Sequence, residues 1–348
     1  MNQGIVSRSF LVVRLVWDIT ISTAIIFLGG LLPRTGVPST DLSGRSCVVT
    51  GANSGIGYEL ALQLAKRGAT VYLACRSISK GQQAASEIID AVPDSQNCVH
   101  VLELDTSSLQ SVRKFAAGWT SGGDSHIDVL IHNAGITSAP GGKQVSDEGL
   151  GMIYTTNFLG SFVLTNLLER HLNDQARVIF TSSTGQYGGN LKWLFHSPKG
   201  VPQLDPLTGK IPDSGLYAHT KLMQVVFCKL LQERWDRQMP EKRLITHAFT
   251  PGYTFTPIFD KTDNLPVYVD PVWWFLKVAT VMSVPVEQGA ATGLWLATTD
   301  DRGVVGESKG AGYWDRCTRR LTSAELLSPG RLQRAWDLWC ADGGVDWA

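Results

Sequence analysis

Thr50-Gly51-Ala52-Asn53-Ser54-Gly55-Ile56-Gly57 decides how the chain folds. A short apolar run, Ser46–Thr50, leads into it, and a pattern of helical period follows, with Leu60, Ala61, Leu64 and Ala65 on one face before Gly68 stops it. Strand, glycine turn and helix in that order open a dinucleotide-binding unit. Glycine lets the backbone approach a pyrophosphate, and the helix start offers unpaired N–H groups and the positive end of its dipole. Gly51, Gly55 and Gly57 meet those demands, with Ser54 and Ile56 between them. Glycines so spaced also occur in ordinary tight turns, but the strand before and the helix after argue against that reading.

Further strands are expected at Thr70–Cys75, Val99–Glu103, Val129–His132, Val178–Thr181 and Leu244–Phe249, most followed by sequence of helical period. That alternation predicts an α/β fold, a doubly wound parallel sheet of the Rossmann type with an N-terminal hydrophobic segment. Residues 1–44 read as hydrophobic anchor and linker, 45–325 as the Rossmann domain with a substrate lid at 255–286, and 326–348 as a C-terminal helix and tail. From Ile19 to Leu32 the chain is apolar apart from Thr and Ser, while Asp18, Arg14 and Arg8 interrupt it upstream. A membrane span needs roughly 20 apolar residues and a mid-membrane Asp costs about 2.5–3.5 kcal/mol, so a crossing segment must hold Asp18 near one interface. A membrane anchor is the preferred reading, ahead of a signal peptide or a hydrophobic arm packed on the protein. Arg8 and Arg14 on one side and Arg34 and Arg45 on the other leave its topology undecided.

Composition removes several classes. The 348 residues carry 31 basic and 31 acidic side chains, without a basic stripe, so nothing recruits nucleic acid and a small molecule is the expected partner. Six scattered cysteines show no zinc-finger spacing, so no metal site is expected; they read as reduced thiols of a cytosol-facing domain. A homo-oligomer is compatible with this composition.

Cofactor choice is read where the second strand ends, an acid there binding a ribose 2′-OH and an Arg a 2′-phosphate. Here the strand ends in Cys75-Arg76 with no acid until Glu87, which favours NADP(H) over NAD(H), unless Arg76 is merely a solvated residue opening a helix. Asp105 after the third strand is either an adenine partner or the N-cap of a Ser107–Gly118 helix, and both can hold. Tyr217 and Lys221 are four apart and share one helix face. A cation held there lowers the pKa of the tyrosine by stabilising phenolate, and an oxidised nicotinamide ring would add to the effect. The tyrosine then serves as general acid toward a ketone or base toward an alcohol. His219 faces elsewhere on that helix and reads as structural, while His132 ends a strand near the nucleotide turn.

With these residues on the page, the chain from Arg45 to about Trp339 resembles the short-chain dehydrogenase/reductase family. The matches are the glycine turn, Asn133-Ala134-Gly135, Asn157 in Thr156-Asn157-Phe158-Leu159-Gly160, Ser182-Ser183, Tyr217-x-x-x-Lys221 and Pro251-Gly252. The resemblance implies that Tyr217 is the acid/base, that Lys221 orients the nicotinamide ribose and lowers the tyrosine pKa, and that Ser183 binds the substrate oxygen. It implies a water relay from Lys221 supported by Asn157, adenosine contacts from Asn133 and Gly135, and carboxamide and diphosphate contacts from Thr254 and Thr256 beside Pro251 and Gly252. Ser182 competes for the serine role; strand alternation sends it and Ser183 to opposite faces, so only one points at substrate. Leu73-Ala74-Cys75-Arg76 with Lys80-Gly81, Trp273-Trp274-Phe275 with Pro285-x-Glu287-Gln288-Gly289-Ala290, and Gly312-Tyr313-Trp314 resemble the retinol-dehydrogenase-like branch. That branch implies membrane attachment, here to endoplasmic reticulum or lipid droplet with the domain facing the cytosol. Two departures stand out, the segment Asn190–Gly215 inserted between Ser183 and Tyr217, and His132 where many members have Asn.

The lid segment Phe255–Pro285 is apolar, with Ile258, Phe259, Trp273, Trp274 and Phe275 serving either as core of a lid helix or as a greasy substrate mouth. The expected activity is NADP(H)-dependent interconversion of an alcohol and its carbonyl on a lipophilic molecule such as a retinoid, sterol, other isoprenoid or polyketide of secondary metabolism. A catalytically silent NADPH-binding scaffold is the alternative of another class, and a sugar-nucleotide epimerase is the less favoured enzyme.

Overall fold

Strands form at β1 (Ser46–Thr50), β2 (Thr70–Cys75), β3 (Val99–Glu103), β4 (Ile127–His132), β5 (Leu172–Thr181), β6 (Ile245–Thr250), β7 (Gly312–Asp315) and β8 (Thr318–Arg320), the central ones from buried, largely apolar runs. The computed structural model describes residues 2–121, 126–202, 213–254, 283–306 and 311–347. The strands form one sheet in the order β3-β2-β1-β4-β5-β6-β7-β8. All neighbours pair parallel except β7 and β8. Cys47, Val48, Val49 and Thr50 of β1 are all buried, as a central parallel strand covered on both faces requires.

Helices supply that cover. On one face Leu60 and Leu64 of the Gly55–Ala65 helix, Ile88 of Ile78–Ala91 and Leu294 of Val286–Thr298 pack together with Val49 and Ile131. The other face carries Val112 and Phe115 of Leu109–Ser121, Phe162 of Gly160–Leu168, Phe227 and Trp235 of Asp213–Gln238, and Trp339 of Pro329–Gly343. This is the doubly wound arrangement that the alternating pattern predicts.

Besides shifts of one or two residues at the ends of β4 and β6, three features differ from the sequence reading. β5 starts six residues before Val178, because Leu172 and Ala176 are buried although Asn173, Asp174 and Gln175 between them are polar. The β7–β8 hairpin was not expected; its turn residues Arg316 and Cys317 lie at φ 49° and 57°, a conformation that hairpin turns favour but that glycine or asparagine usually announces. At the N-terminus one helix runs from Asn2 to Leu28. It is long and apolar enough over Ser9–Leu31 to cross a membrane. Asp18 lies inside that stretch. It is fully buried against the domain, where Arg320 (3.3 Å), the Leu321 N–H (3.0 Å) and Arg14 (3.1 Å) surround its carboxylate. An acid in an apolar helix is tolerated here because protein, not water, supplies its partners.

Candidate active site

Leaving β1, the chain moves outward through β2 to β3 and then returns to β4 on the opposite side of β1. Such a reversal opens a crevice at the carboxyl ends of the two strands. Thr50, the last residue of β1, ties the crevice together: its hydroxyl accepts the N–H groups of Asn133 (2.9 Å) and Ala134 (3.0 Å). Asn133 in turn donates its side-chain amide to the Thr50 carbonyl at 3.2 Å. The glycines serve this packing directly. Gly51 and Gly55 lie at φ 66° and 57°, and a Cβ on Gly57 would stand 2.4 Å from both the Gly51 carbonyl oxygen and the Asn133 amide nitrogen.

A cavity of about 550 Å³ runs from this turn toward the catalytic helix. Gly51, Ser54, Gly55 and Ile56 line it at the start of the Gly55–Ala65 helix, and Asn133 and Gly135 line it after β4. Ser54 precedes the helix in extended conformation without capping it through its hydroxyl. Arg76 and Asp105 stand at one end, and Pro251, Gly252 and Thr254 form a wall after β6. Asp105 does not cap the next helix: its carboxylate accepts the N–H of Ser107 at 2.9 Å. Ser108 accepts the Ser111 N–H (3.2 Å) and Glu148 accepts those of Leu109 (2.8 Å) and Gln110 (2.9 Å) instead. Thr256, the lid residues 255–282 and residues 203–212 of the insertion lie outside the described residues. The feet of the lid segment are described, and the Val284 N–H donates to the Tyr253 carbonyl at 2.9 Å.

Ser77, Thr106, Tyr253 and Ile26 also line the cavity and were not singled out by sequence, and Lys80, noted there only for its resemblance, lines it too. Lys80 was legible in principle, in the first turn of the helix that opens just after Arg76. Ile26 was not, since it reaches the site from the N-terminal helix.

At the far end, the Asp213–Gln238 helix presents Tyr217 and Lys221 on its cavity face. The Ser183 side chain lines the cavity with Tyr217, close enough to the phenol to oppose the rise of its pKa, and accepts the Gly185 N–H at 3.1 Å. Ser182 turns the other way and donates to the Lys221 carbonyl at 2.9 Å. Of the two serines, it is therefore Ser183 that meets the tyrosine. The Lys221 ammonium donates to the Thr181 carbonyl at 2.7 Å and lies 5.4 Å from the centre of the Tyr217 ring. Asn157 is buried in a wide turn of helix, Thr155–Leu159. Its side chain accepts the Ile136 N–H (2.7 Å) and donates to the Ile136 carbonyl (2.9 Å) and Thr220 hydroxyl (3.1 Å). It thereby fixes the loop after β4 to the catalytic helix.

The electrostatics correct one expectation. Burial pushes the Tyr217 phenol above its ordinary pKa, with the Ser183 hydrogen bond opposing. Burial also draws the Lys221 ammonium down to about 7. In the protein alone desolvation is therefore the larger influence on the phenol, and Tyr217 is held as a neutral acid. His132 has no share in this chemistry: it is buried, stacks on Phe180 at 4.6 Å, and pairs with the Thr165 hydroxyl at 2.8 Å. His219 accepts the Asn190 N–H at 2.9 Å and stacks on Trp193, a structural part as expected.

Known proteins carry the same design. The short chain dehydrogenase family model matches residues 45–198. Retinol dehydrogenase 11 of Mus musculus is 33% identical over 314 residues, covering 89% of this chain and 90% of that protein. The chain belongs to the short-chain dehydrogenase family. It falls in the retinol-dehydrogenase-like branch and is an oxidoreductase that acts on a CH–OH group. The crystal structure of an uncharacterised protein from Mycobacterium paratuberculosis superposes with TM-score 0.62 at 29% identity, covering 89% of this chain and 97% of that one. A short chain dehydrogenase of Escherichia coli CFT073, solved with NADPH, shares the fold with TM-score 0.55 at 22% identity, covering 81% of this chain and all of its own. The cavity fits the nicotinamide cofactor of this family: helix N–H groups sit midway, cations at one end, and the tyrosine and lysine at the other.

Proposed function

We propose that this dehydrogenase uses NADP(H) to interconvert an alcohol and its ketone or aldehyde on a lipophilic small molecule, such as a retinoid, sterol, other isoprenoid or polyketide. The observation that carries this reading is one continuous cavity with Arg76 and Lys80 at one end and Ser183, Tyr217 and Lys221 at the other. Two cations suit a 2′-phosphate better than a bare ribose. Bound there, the nicotinamide would supply or accept the hydride. In reduction Tyr217 donates its proton to the carbonyl oxygen, and the Ser183 hydroxyl donates a hydrogen bond to the same oxygen as negative charge develops. Oxidation runs these steps in reverse. Asn157, by fixing Ile136 to Thr220, keeps the catalytic helix at one distance from the cavity, and in this reading it also supports a water relay from Lys221.

A lipophilic substrate is supported by Ile26 and Tyr253 in the wall, by the names of the relatives, and by the exposed apolar face of the N-terminal helix, where Phe10 is 72% and Trp17 61% exposed. That face also supports residence on a membrane such as endoplasmic reticulum or lipid droplet, with the catalytic domain in the cytosol. NADPH oxidation over a panel of lipophilic aldehydes and ketones tests the reading. Tyr217→Phe retains NADPH binding and loses turnover by about 10²–10⁴-fold. Arg76→Ala with Lys80→Ala weakens NADPH about ten- to a hundredfold while sparing NADH. Unchanged turnover in the first variant sinks the catalytic assignment, and equal loss of both cofactors in the second sinks the NADP(H) preference.

A further inference from the structure

The N-terminal helix meets the domain along one stripe. Leu15, Asp18 and Ser22 are buried, Ile25 and Ile26 are half-buried and Gly29 is buried, spaced by three or four residues down one helix face. The opposite face, with Phe10, Val13 and Trp17, is exposed. At one point of the stripe Asp18 takes Arg320 and the Leu321 N–H, on β8 and just beyond it. Two turns later Ile26 lines the catalytic cavity beside Tyr253 and Thr254. Ile25, Ile26 and Gly29 also bound a small adjoining pocket with Gly252 and Val284. A Cβ on Gly29 would stand 3.1 Å from Val284, so the helix passes close over the returning foot of the lid segment.

We propose that this helix is a wall of the substrate site, not only a tether, and that Asp18 is the positioning residue that holds it there. Ile26 then contacts a lipophilic substrate whose length carries it beyond Ser183 and Tyr217, whereas a small carbonyl never reaches the helix. The inference rests on the carbonyl-reducing reading above for its kinetic part alone. The arrangement is fragile at one place. Arg320 is 12% exposed, and removing Asp18 takes away its ion-pair partner, leaving only the more distant carboxyl of Asp315, so the helix leaves the domain to let water in.

Full-length enzyme in detergent, saturated with NADPH, is compared with Asp18→Ala, Asp18→Asn and Ile26→Ala, using all-trans-retinal and propanal as probes. In Asp18→Ala the KM for retinal rises about tenfold, the worth of a partly buried isoleucine contact, while propanal kinetics and NADPH affinity stay within about twofold. Backbone hydrogen exchange over residues 19–29 accelerates at least tenfold, on the order expected for local opening. Asp18→Asn, which keeps an oxygen for the Leu321 N–H, gives intermediate values. Ile26→Ala raises the retinal KM with the exchange of the helix unchanged, separating the wall from the clamp. A general loss of stability would instead depress both substrates and NADPH binding together, and that result overturns the proposal. So does slow exchange in Asp18→Ala, or fast exchange without a change in the retinal KM. If wild type reduces neither carbonyl, the functional reading fails, and the exchange measurement still decides whether Asp18 holds the helix.

Discussion

Lys221→Met makes the cofactor-free enzyme more stable near neutral pH, by an amount that shrinks as pH rises. Lys221 lies in the wall of the site with its ammonium buried, and folding draws its pKa from 10.5 to about 7. Each unit of that shift is worth about 1.4 kcal/mol, so the charged form opposes folding by roughly 4–5 kcal/mol at most. The sign follows from proton counts. Between about 7 and 10.5 the unfolded chain holds a proton on Lys221 that the folded protein does not, so wild-type stability gains from this group as pH rises through that window. Below about 7 both states are charged and the full penalty is present; above 10.5 neither is. Methionine removes the charge and forfeits the hydrogen bond to the Thr181 carbonyl, at about 1 kcal/mol. The variant is therefore about 3 kcal/mol more stable than wild type at pH 7, and that advantage falls by about 3 kcal/mol by pH 9.5. Urea unfolding of both proteins without cofactor, followed by tryptophan fluorescence at half-unit steps of pH, measures it. Other titrating groups cancel in the difference. A difference that stays flat with pH refutes the claim that desolvation of this ammonium dominates the site.

Two further substitutions probe the turn and the serines. Gly57→Ala forces a methyl group against the Gly51 carbonyl and the Asn133 amide at 2.4 Å, so NADPH titration shows at least a tenfold weaker Kd, roughly the effect of an ångström-scale shift in a positioned group; an unchanged Kd refutes the packing account of this glycine. Ser183→Ala lowers kcat by about 10²-fold, as loss of a donor to a developing oxyanion does, whereas Ser182→Ala, which only frees the Lys221 carbonyl, lowers unfolding stability by about 1–3 kcal/mol. Steady-state kinetics and thermal unfolding on the pair check both, and a larger kcat loss in Ser182→Ala reverses the assignment.

Legibility in the sequence follows the range of the forces involved. β1, β2 and β3 coincide with their expected bounds because each is a short, largely apolar stretch closed by Gly51, by Arg76-Ser77 or by Glu103 and Asp105, and the whole signal is local. Tyr217 and Lys221 were readable for the same reason, since helical period alone places them together. The start of β5 was hidden because Asn173 through Gln175 carry polar side chains and Gln175 sits at φ 64°. Pairing with β4 around an irregularity near Ile127 decides that boundary. The direction of the Tyr217 shift was misread for a related cause. Adjacency of a cation is visible in Tyr-x-x-x-Lys, but the burial that outweighs it is a property of the packed sheet and its neighbours.

Asp18 carries that reasoning furthest. Within its own segment the residue has one meaning, an acid in an apolar stretch whose placement in hydrocarbon is penalised, and the natural inference is a membrane span pushed off centre. The same penalty operates in a protein interior, and there it disappears only when a donor set is supplied. Arg14, four residues earlier in the same helix, supplies one donor, and Arg320 and Leu321 supply the others from 302 and 303 positions away, from the end of a hairpin whose turn gives no sequence signal. Neither half of the contact could therefore be predicted from the other. What a single chain does offer is the question itself: beyond its neighbour Arg14, an acid in a largely apolar helix must meet water, a headgroup or a buried cation, and only the last of these also fixes where the helix lies on the domain.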